Sequence, residues 1–212
     1  MSAVGPMAEY ISADDLAGGM RSFVAVDLPA PSEGRNDPGR APNHVTLLFL
    51  GEIARERVGT IGERLRDVAQ RHGPFGLTIE GVGAFPSAHA PRVVWLGMTG
   101  GARELERLAE DVRSALHDEL PRPPEERFVP HVTLFRVRSP GDRRAAVDLL
   151  EGRSAAPAPR TVRVEEFLLK ESLLGRGGAV HRTLAAFRLG GPGPPYGLDR
   201  AAGPASFSFR QR

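Results

Sequence analysis

The chain has 212 residues, of which 41% are hydrophobic and 25% charged, and its formal net charge is +2. These values are typical of a globular protein with enough material for a sizeable core, and they exclude a polybasic nucleic-acid arm. The sequence contains no cysteine, which excludes disulfides, thiolate metal ligands and thiol catalysis. No apolar run approaches the ~20 residues of a membrane span and no signal peptide precedes the first strand, so we expect a soluble, cytoplasmic protein.

The first half of the chain predicts two strands and a helix. Residues 1–19 show no periodicity and are expected to form a flexible extension. Strands are predicted at 23–28 and 44–50, separated by a Pro- and Gly-rich loop at 29–43. An amphipathic helix follows, marked by apolar residues at three- and four-residue steps: Val58, Ile61, Leu65 and Val68.

The second half predicts more strands than helices. Strands are expected at 75–82, 92–98, 131–137, 162–169 and 180–189, and amphipathic helices around 105–116 and 141–150. The apolar run at 92–98 predicts burial on both faces of that strand. Residues 190–212 are expected to form a disordered Gly/Pro-rich tail. The pattern predicts one α+β domain over 20–189, with mainly antiparallel sheet and two similar halves.

One short motif occurs twice. His-Val-Thr-Leu stands at 44–47 and again at 131–134, and each copy opens a predicted strand. Side chains in a strand alternate between faces, so each histidine shares a face with the threonine two residues later. The offset of 87 residues suits two half-domains of one fold and is too long for a solenoid repeat.

The repeated histidines, His44 and His131, permit acid–base chemistry. Imidazole titrates near neutral pH, so one neutral and one protonated ring can coexist and transfer protons in opposite directions. The hydroxyls of Thr46 and Thr133 could hold phosphate oxygens as charge develops on them. Such a site needs no metal, although a histidine metal site is a second reading. A third is that the histidines are strand-end residues and the threonines ordinary β-formers.

Five segments, in this order along the chain, carry a resemblance to a known family. They are Arg-Ser-Phe-Val-Ala-Val-Asp-Leu-Pro at 21–29, His-Val-Thr-Leu-Leu-Phe-Leu-Gly at 44–51, Arg-Val-Val-Trp-Leu-Gly at 92–97, Phe-Val-Pro-His-Val-Thr-Leu-Phe-Arg at 128–136, and Phe-Leu-Leu at 167–169 with Ser172 and Leu174. Together they resemble the two-histidine (2H) phosphoesterase superfamily, and within it the RNA 2′,3′-cyclic phosphodiesterases once named 2′-5′ RNA ligases. The resemblance covers roughly residues 20–189.

The resemblance implies a bilobal fold with a cleft between two antiparallel sheets. It implies hydrolysis of RNA 2′,3′-cyclic phosphate ends to 2′-phosphates without a cofactor or metal, together with a weak, reversible 2′-5′ ligation. His44 would be the general acid toward the 3′ oxygen and His131 the base toward water. The other substrate-binding positions are then Thr46, Thr133, Arg136, Ser172 and Phe23. The expected partners are RNA ends, tRNA fragments among them, with no membrane, and the expected state is a monomer.

Two other functions stay open at this point. A non-catalytic module could bind RNA ends, although binding alone would not need both imidazoles. A phosphodiesterase with the same mechanism could act on a small cyclic nucleotide, an alternative favoured by the short 29–43 segment. Of the other aromatic or cationic residues, Trp95 is expected in the core, His181 on the surface, and Arg176 in a turn where it could steer RNA toward the cleft. Phe23 could equally stack on a base or pack in the core.

Overall fold

A computed structural model describes residues 19–29, 44–120, 128–175 and 178–190. The predicted N-terminal extension up to residue 18, nearly all of the 29–43 loop, the tail from residue 191 and Arg176 lie outside the described residues. The outermost described strands begin at Met20 and end at Arg188. Both ends fall inside the predicted domain 20–189, whose boundaries stay a prediction.

The described residues form eight strands and three α-helices. The strands are β1 (Met20–Asp27), β2 (His44–Ile53), β3 (Phe75–Phe85), β4 (Val93–Gly100), β5 (Val132–Arg136), β6 (Arg160–Val164), β7 (Glu166–Gly175) and β8 (Gly178–Arg188). The helices are α1 (Arg57–Ala69), α2 (Ala102–Ala115) and α3 (Pro140–Leu150), and a 3-10 turn at His117–Glu119 follows α2. No described helix has the length and apolar content to cross a membrane.

The strands make two antiparallel four-stranded sheets. Sheet A has the order β2-β1-β7-β8 and sheet B the order β5-β4-β3-β6. The predicted α+β class is therefore confirmed. The single strand predicted at 162–169 is wrong, because the chain leaves sheet B after Val164 and enters sheet A at Glu166. Apolar residues on both sides of this crossover hid the break from a reading of the sequence.

One core lies between the two sheets and the helices. Buried apolar residues from both sheets, α1 and α2 form a single cluster, so the two halves share their interior. The predicted burial of both faces of β4 is wrong. Val94 and Leu96 are buried, whereas Val93 and Trp95 on the other face are only half-buried. That second face is directed away from the core and belongs to the site described below.

Polar contacts fasten α1 to α2 at both ends. Arg64 donates from Nη1 to the carbonyl of Ala115 at 3.1 Å. At the other end of the helix pair, His72 Nε2 lies 2.8 Å from the Asp111 carboxylate. The two helices are thus held in one orientation beneath the sheets, and the strands that carry the repeated motif have a rigid base.

Candidate active site

The two histidines stand at the starts of edge strands. His44 is the first residue of β2, at the edge of sheet A, and His131 directly precedes β5, at the edge of sheet B. β2 and β5 contact each other. The two copies of the motif, 87 residues apart in the chain, therefore meet at the junction between the sheets.

Both copies contain the same β-bulge. In sheet A, Thr46 pairs with Ala25 and Leu48 with Val24, so Leu47 is an extra residue. In sheet B, Thr133 pairs with Trp95 and Phe135 with Val94, so Leu134 is the extra residue. A bulge places two residues opposite one and turns the strand locally. Because the irregularity falls on the same motif position, the repeat is structural as well as sequential.

The bulge brings a residue three positions after each threonine onto the threonine's face. Arg136 pairs with Val93, two residues from the partner of Thr133, and is exposed. Phe49 pairs with Phe23, two residues from the partner of Thr46. In a regular strand an offset of three would place these residues on opposite faces. The structure thus places the predicted phosphate ligand Arg136 beside Thr133, and places Phe49, which is 65% exposed, at the matching position of sheet A.

His44 lies in a group of three rings. Its ring centroid is 5.4 Å from that of Phe23 and 5.3 Å from that of His181, and the Phe23 and His181 centroids are 4.9 Å apart. Phe23 is only 3% exposed. Its ring therefore supports the imidazole from below and offers little surface to a base. The exposed ring of Phe49, 6.0 Å from Phe23, is better placed for stacking.

A buried ion pair lies on the same face of sheet A. Lys170, the one lysine of the sequence, is 2% exposed, and its Nζ donates to both carboxylate oxygens of Asp27 at 2.7 and 2.5 Å. Asp27 is the cross-strand partner of His44. The lysine is thus one residue away from the catalytic candidate across the sheet, with its charge fully committed to a carboxylate.

His181 belongs to the site, and its interpretation as a surface residue is wrong. It pairs across the strands with Ser172, so both side chains lie on the His44 face. Burial chiefly lowers the pKa of His181, and the nearby His44 and Lys170 lower it further. Its Nδ1 is buried and has no hydrogen-bond partner in the described part of the chain. Only the strand register reveals this placement, because nothing local in the sequence distinguishes His181 from the other histidines.

His131 has a defined tautomer. Its Nδ1 lies 2.8 Å from the carbonyl oxygen of Val129. A carbonyl can only accept, so Nδ1 carries the proton and Nε2 of the neutral ring keeps a free lone pair. Burial lowers the pKa of His131, and the charge of Arg136 lowers it further, against the opposing effect of the Val129 hydrogen bond. The neutral form, which accepts a proton at Nε2, is therefore favoured at neutral pH.

Two aromatic rings enclose His131. Its ring centroid is 5.0 Å from that of Phe85 and 6.1 Å from that of Trp95. Trp95 lies flat across Gly83, where an added Cβ would come within 2.2 Å of the indole. The expectation that Trp95 packs in the core is therefore wrong, because the indole covers the open face of sheet B and excludes water from one side of the imidazole. Gly83 is the sequence signal that was missed.

The described residues contain no group of three His, Asp or Glu side chains that could hold a metal ion. A surface cavity of about 660 Å³ lies along α2, with Arg107, Glu110 and Phe128 in its lining, and contains neither His44 nor His131. The site with catalytic geometry is therefore the open junction between the two sheets.

Two antiparallel sheets that present paired His-x-Thr strands at their junction define a two-histidine phosphoesterase. The model of the 2′-5′ RNA ligase superfamily matches residues 17–175. The chain belongs to this family, as the resemblance in the sequence predicted.

Relatives and solved structures agree with this placement. The chain is 38% identical over 141 residues to an RNA 2′,3′-cyclic phosphodiesterase of Aeropyrum pernix, which covers 66% of this chain and 78% of that protein. It is 38% identical over 144 residues to one of Archaeoglobus fulgidus, with coverage of 68% and 78%. The structure of TT0787 of Thermus thermophilus superposes with a TM-score of 0.61 at 29% identity, covering 81% and 99%. That of E. coli LigT complexed with 3′-AMP superposes with a TM-score of 0.61 at 28% identity, covering 81% and 98%.

Proposed function

We propose that this protein is an RNA 2′,3′-cyclic phosphodiesterase that opens the cyclic phosphate to a 2′-phosphate end. The observation that carries the proposal is the meeting of two His-x-Thr strands with the same bulge at contacting sheet edges. The activity printed for the relatives at 38% identity supplies the substrate class.

His131 acts as the general base. Its Nε2 takes a proton from water, and the resulting oxygen attacks the phosphorus. Two features support this role: the Val129 carbonyl fixes the proton on Nδ1, and burial lowers the pKa so that the ring is neutral before the reaction.

His44 acts as the general acid. As the phosphorus–O3′ bond breaks, the protonated ring gives its proton to O3′, which leaves as a hydroxyl, and the phosphate stays on O2′. The first water proton ends on His131 and the His44 proton ends on the product, so proton exchange with solvent restores both rings. Phe23 and His181 hold the His44 ring in place for this transfer.

The remaining predicted residues bind the substrate. Thr46 and Thr133 donate hydroxyl hydrogens to the non-bridging phosphate oxygens, and Arg136 balances their charge. Ser172, opposite His181, contacts the sugar side of the site. We keep Phe23 as a residue that acts through His44 and add Phe49 as the ring on which the terminal base stacks.

Several finer points are also proposals. The mechanism uses no metal, and the reverse reaction gives a weak 2′-5′ ligation of RNA ends. The substrates include tRNA fragments, and the protein acts as a monomer in the cytoplasm. Two proton-transfer groups and two hydroxyl donors are enough for this chemistry, which supports the metal-free form.

The test is hydrolysis of a short RNA that ends in a 2′,3′-cyclic phosphate, with EDTA present, by the wild type and by the His44→Ala and His131→Ala variants. We expect a 2′-phosphate product from the wild type and a loss of at least ~10²-fold for each variant, because each removes one proton-transfer group. Loss of wild-type activity in EDTA would overturn the metal-free mechanism. Binding without turnover would favour a module that binds RNA ends, and turnover of cyclic mononucleotides alone would favour a small-molecule substrate.

A further inference from the structure

Five exposed arginines surround the outer end of β4 and β5. We call this group the arginine corner: Arg92, Arg136, Arg138, Arg143 and Arg144. Arg136 ends β5, and the chain then runs through Arg138 into the start of α3, which carries the last two. Arg92 joins the group because its carbonyl accepts the Val137 N–H at 2.9 Å.

The arginine corner has almost no opposing charge. Residues 81–103 contain no Asp or Glu, and residues 128–147 contain only Asp142. That carboxylate caps α3 by accepting from the backbone N–H groups of Arg138 and Ser139, both at 2.9 Å. Its pKa is lowered mainly by the Arg138 backbone N–H, and to a lesser extent by the Arg138 charge. One carboxylate that is already occupied faces five cations.

Arginines elsewhere in the described chain are mostly balanced. On α1 and α2, Arg57 and Arg64 pair with Glu119, and Arg107 and Arg113 pair with acids one helical turn away. None of the five arginines of the corner makes an ion pair with another described residue. An exposed group of unpaired cations of one sign attracts an anionic partner strongly.

The arginine corner continues directly from the catalytic junction. Arg136 is close enough to His131 for its charge to lower that histidine's pKa, and it shares a face with Thr133. The other four arginines lie beyond it, at the outer end of the same strands. A chain whose terminal phosphate sits at the two histidines would thus pass the corner as it leaves the site.

We propose that the arginine corner binds the phosphates of single-stranded RNA on the 5′ side of the terminal nucleotide. This inference rests on the proposed function and names its substrate class, an oligonucleotide end in preference to a cyclic mononucleotide. Guanidinium groups bind phosphate in a bidentate manner, and the corner is free of carboxylates that would repel it. The contacts are to the backbone, so they favour length and not sequence.

The test compares Arg92→Gln/Arg138→Gln with a control that removes the same charge from exposed positions on the helices, Arg66→Gln/Arg103→Gln. Substrates are a cyclic mononucleotide and an octanucleotide with a 2′,3′-cyclic phosphate end. We expect kcat/KM for the mononucleotide to stay within about twofold for both variants. For the octanucleotide, the slope of log(kcat/KM) against log(salt) should fall by about 1.4 in the corner variant, because each lost phosphate contact removes ~0.7 in a single strand.

A binding measurement separates this inference from the proposed activity. Anisotropy of a labelled octanucleotide with a 2′-phosphate end, which is not a substrate, reports the corner whether or not hydrolysis occurs. Weaker binding by the corner variant alone supports the inference even if no cyclic phosphate is turned over. Equal salt slopes and equal affinities for the corner and control variants would overturn it, even if both substrates are hydrolysed.

Discussion

The two His-Val-Thr strands share a register and a bulge but differ in what surrounds the histidine. His44 is flanked by a second imidazole, and its cross-strand partner Asp27 is bonded to a buried ammonium. His131 is flanked by Phe85 and Trp95. One half of the repeat surrounds its histidine with titratable groups, and the other surrounds it with apolar rings.

This difference shows how a duplicated motif can divide two opposite tasks. A base must be neutral before the reaction, and desolvation favours the neutral imidazole by lowering its pKa, as at His131. An acid must be charged, and the polar surroundings of His44 suit that state better than an apolar pocket would. The identical backbone supplies the geometry, and the neighbouring side chains assign the roles.

The largest expected effect comes from a substrate whose leaving group needs no acid. In a cyclic phosphate with sulfur in place of O3′, the thiolate leaves without protonation. We expect His44→Ala to recover most of its ~10²-fold or greater loss on this substrate, and His131→Ala to recover none, because attack by water still needs a base. Single-turnover rates of both variants on both substrates provide the measurement.

The opposite pattern, with recovery in His131→Ala, would reverse the two roles while keeping the mechanism. Recovery in neither variant would mean that the imidazoles act on phosphate charge and do not transfer protons. Thr133→Val is a useful control, because it removes a phosphate donor from the same strand and should show equal losses on both substrates.

Local patterns were sufficient to predict most of the fold. Apolar spacing predicted all three helices, and the repeated motif predicted two related halves, because both signals act over a few residues. The crossover at Glu165 was missed because apolar residues continue on either side of it. A strand that changes sheets without a turn residue carries no local signal.

The site was only partly predictable for a related reason. His44, His131 and their threonines announce themselves as a repeat. His181 and Lys170 reach the site only through the pairing of β7 with its neighbours, which is a property of the assembled sheet. The bulges, which bring Arg136 onto the face of Thr133, likewise exist only between strands.

The ion pair of sheet A gives the second prediction, since the described part of sheet B has no equivalent beside His131. Lys170→Met keeps the volume but leaves the Asp27 carboxylate without its partner. We expect the free energy of unfolding to fall by about 3 kcal/mol, the lower end for breaking a buried pair, because the Asp27 side chain is 30% exposed. Urea denaturation provides the measurement.

The matched variant is Lys170→Met/Asp27→Asn, which removes both charges and should recover most of the lost stability. If the double variant is as unstable as the single one, the lysine contributes through packing and not through its charge. A cost under about 1 kcal/mol for Lys170→Met would mean that Asp27 is hydrated well enough to stand alone.

The smallest expected effect is a change in pH dependence on the sheet B side. The acid limb of kcat/KM reports the free enzyme's base, and burial places the pKa of His131 below its ordinary 6.5. Activity should therefore persist below pH 6.5 and fail as His131 becomes protonated. Arg136→Gln removes a cation that disfavours the protonated ring, so the midpoint should move upward, but not beyond 6.5, because burial remains.

His181 must be silenced for this measurement, because its pKa is lowered as well and it would titrate in the same range. The profiles are therefore compared in a His181→Phe background, where a ring still packs against Phe23 and His44. Arg103→Gln on α2 serves as the charge control and should leave the midpoint in place. An Arg136→Gln midpoint that moves down would contradict the assignment of His131 as the base, because loss of a neighbouring positive charge can only raise that histidine's pKa.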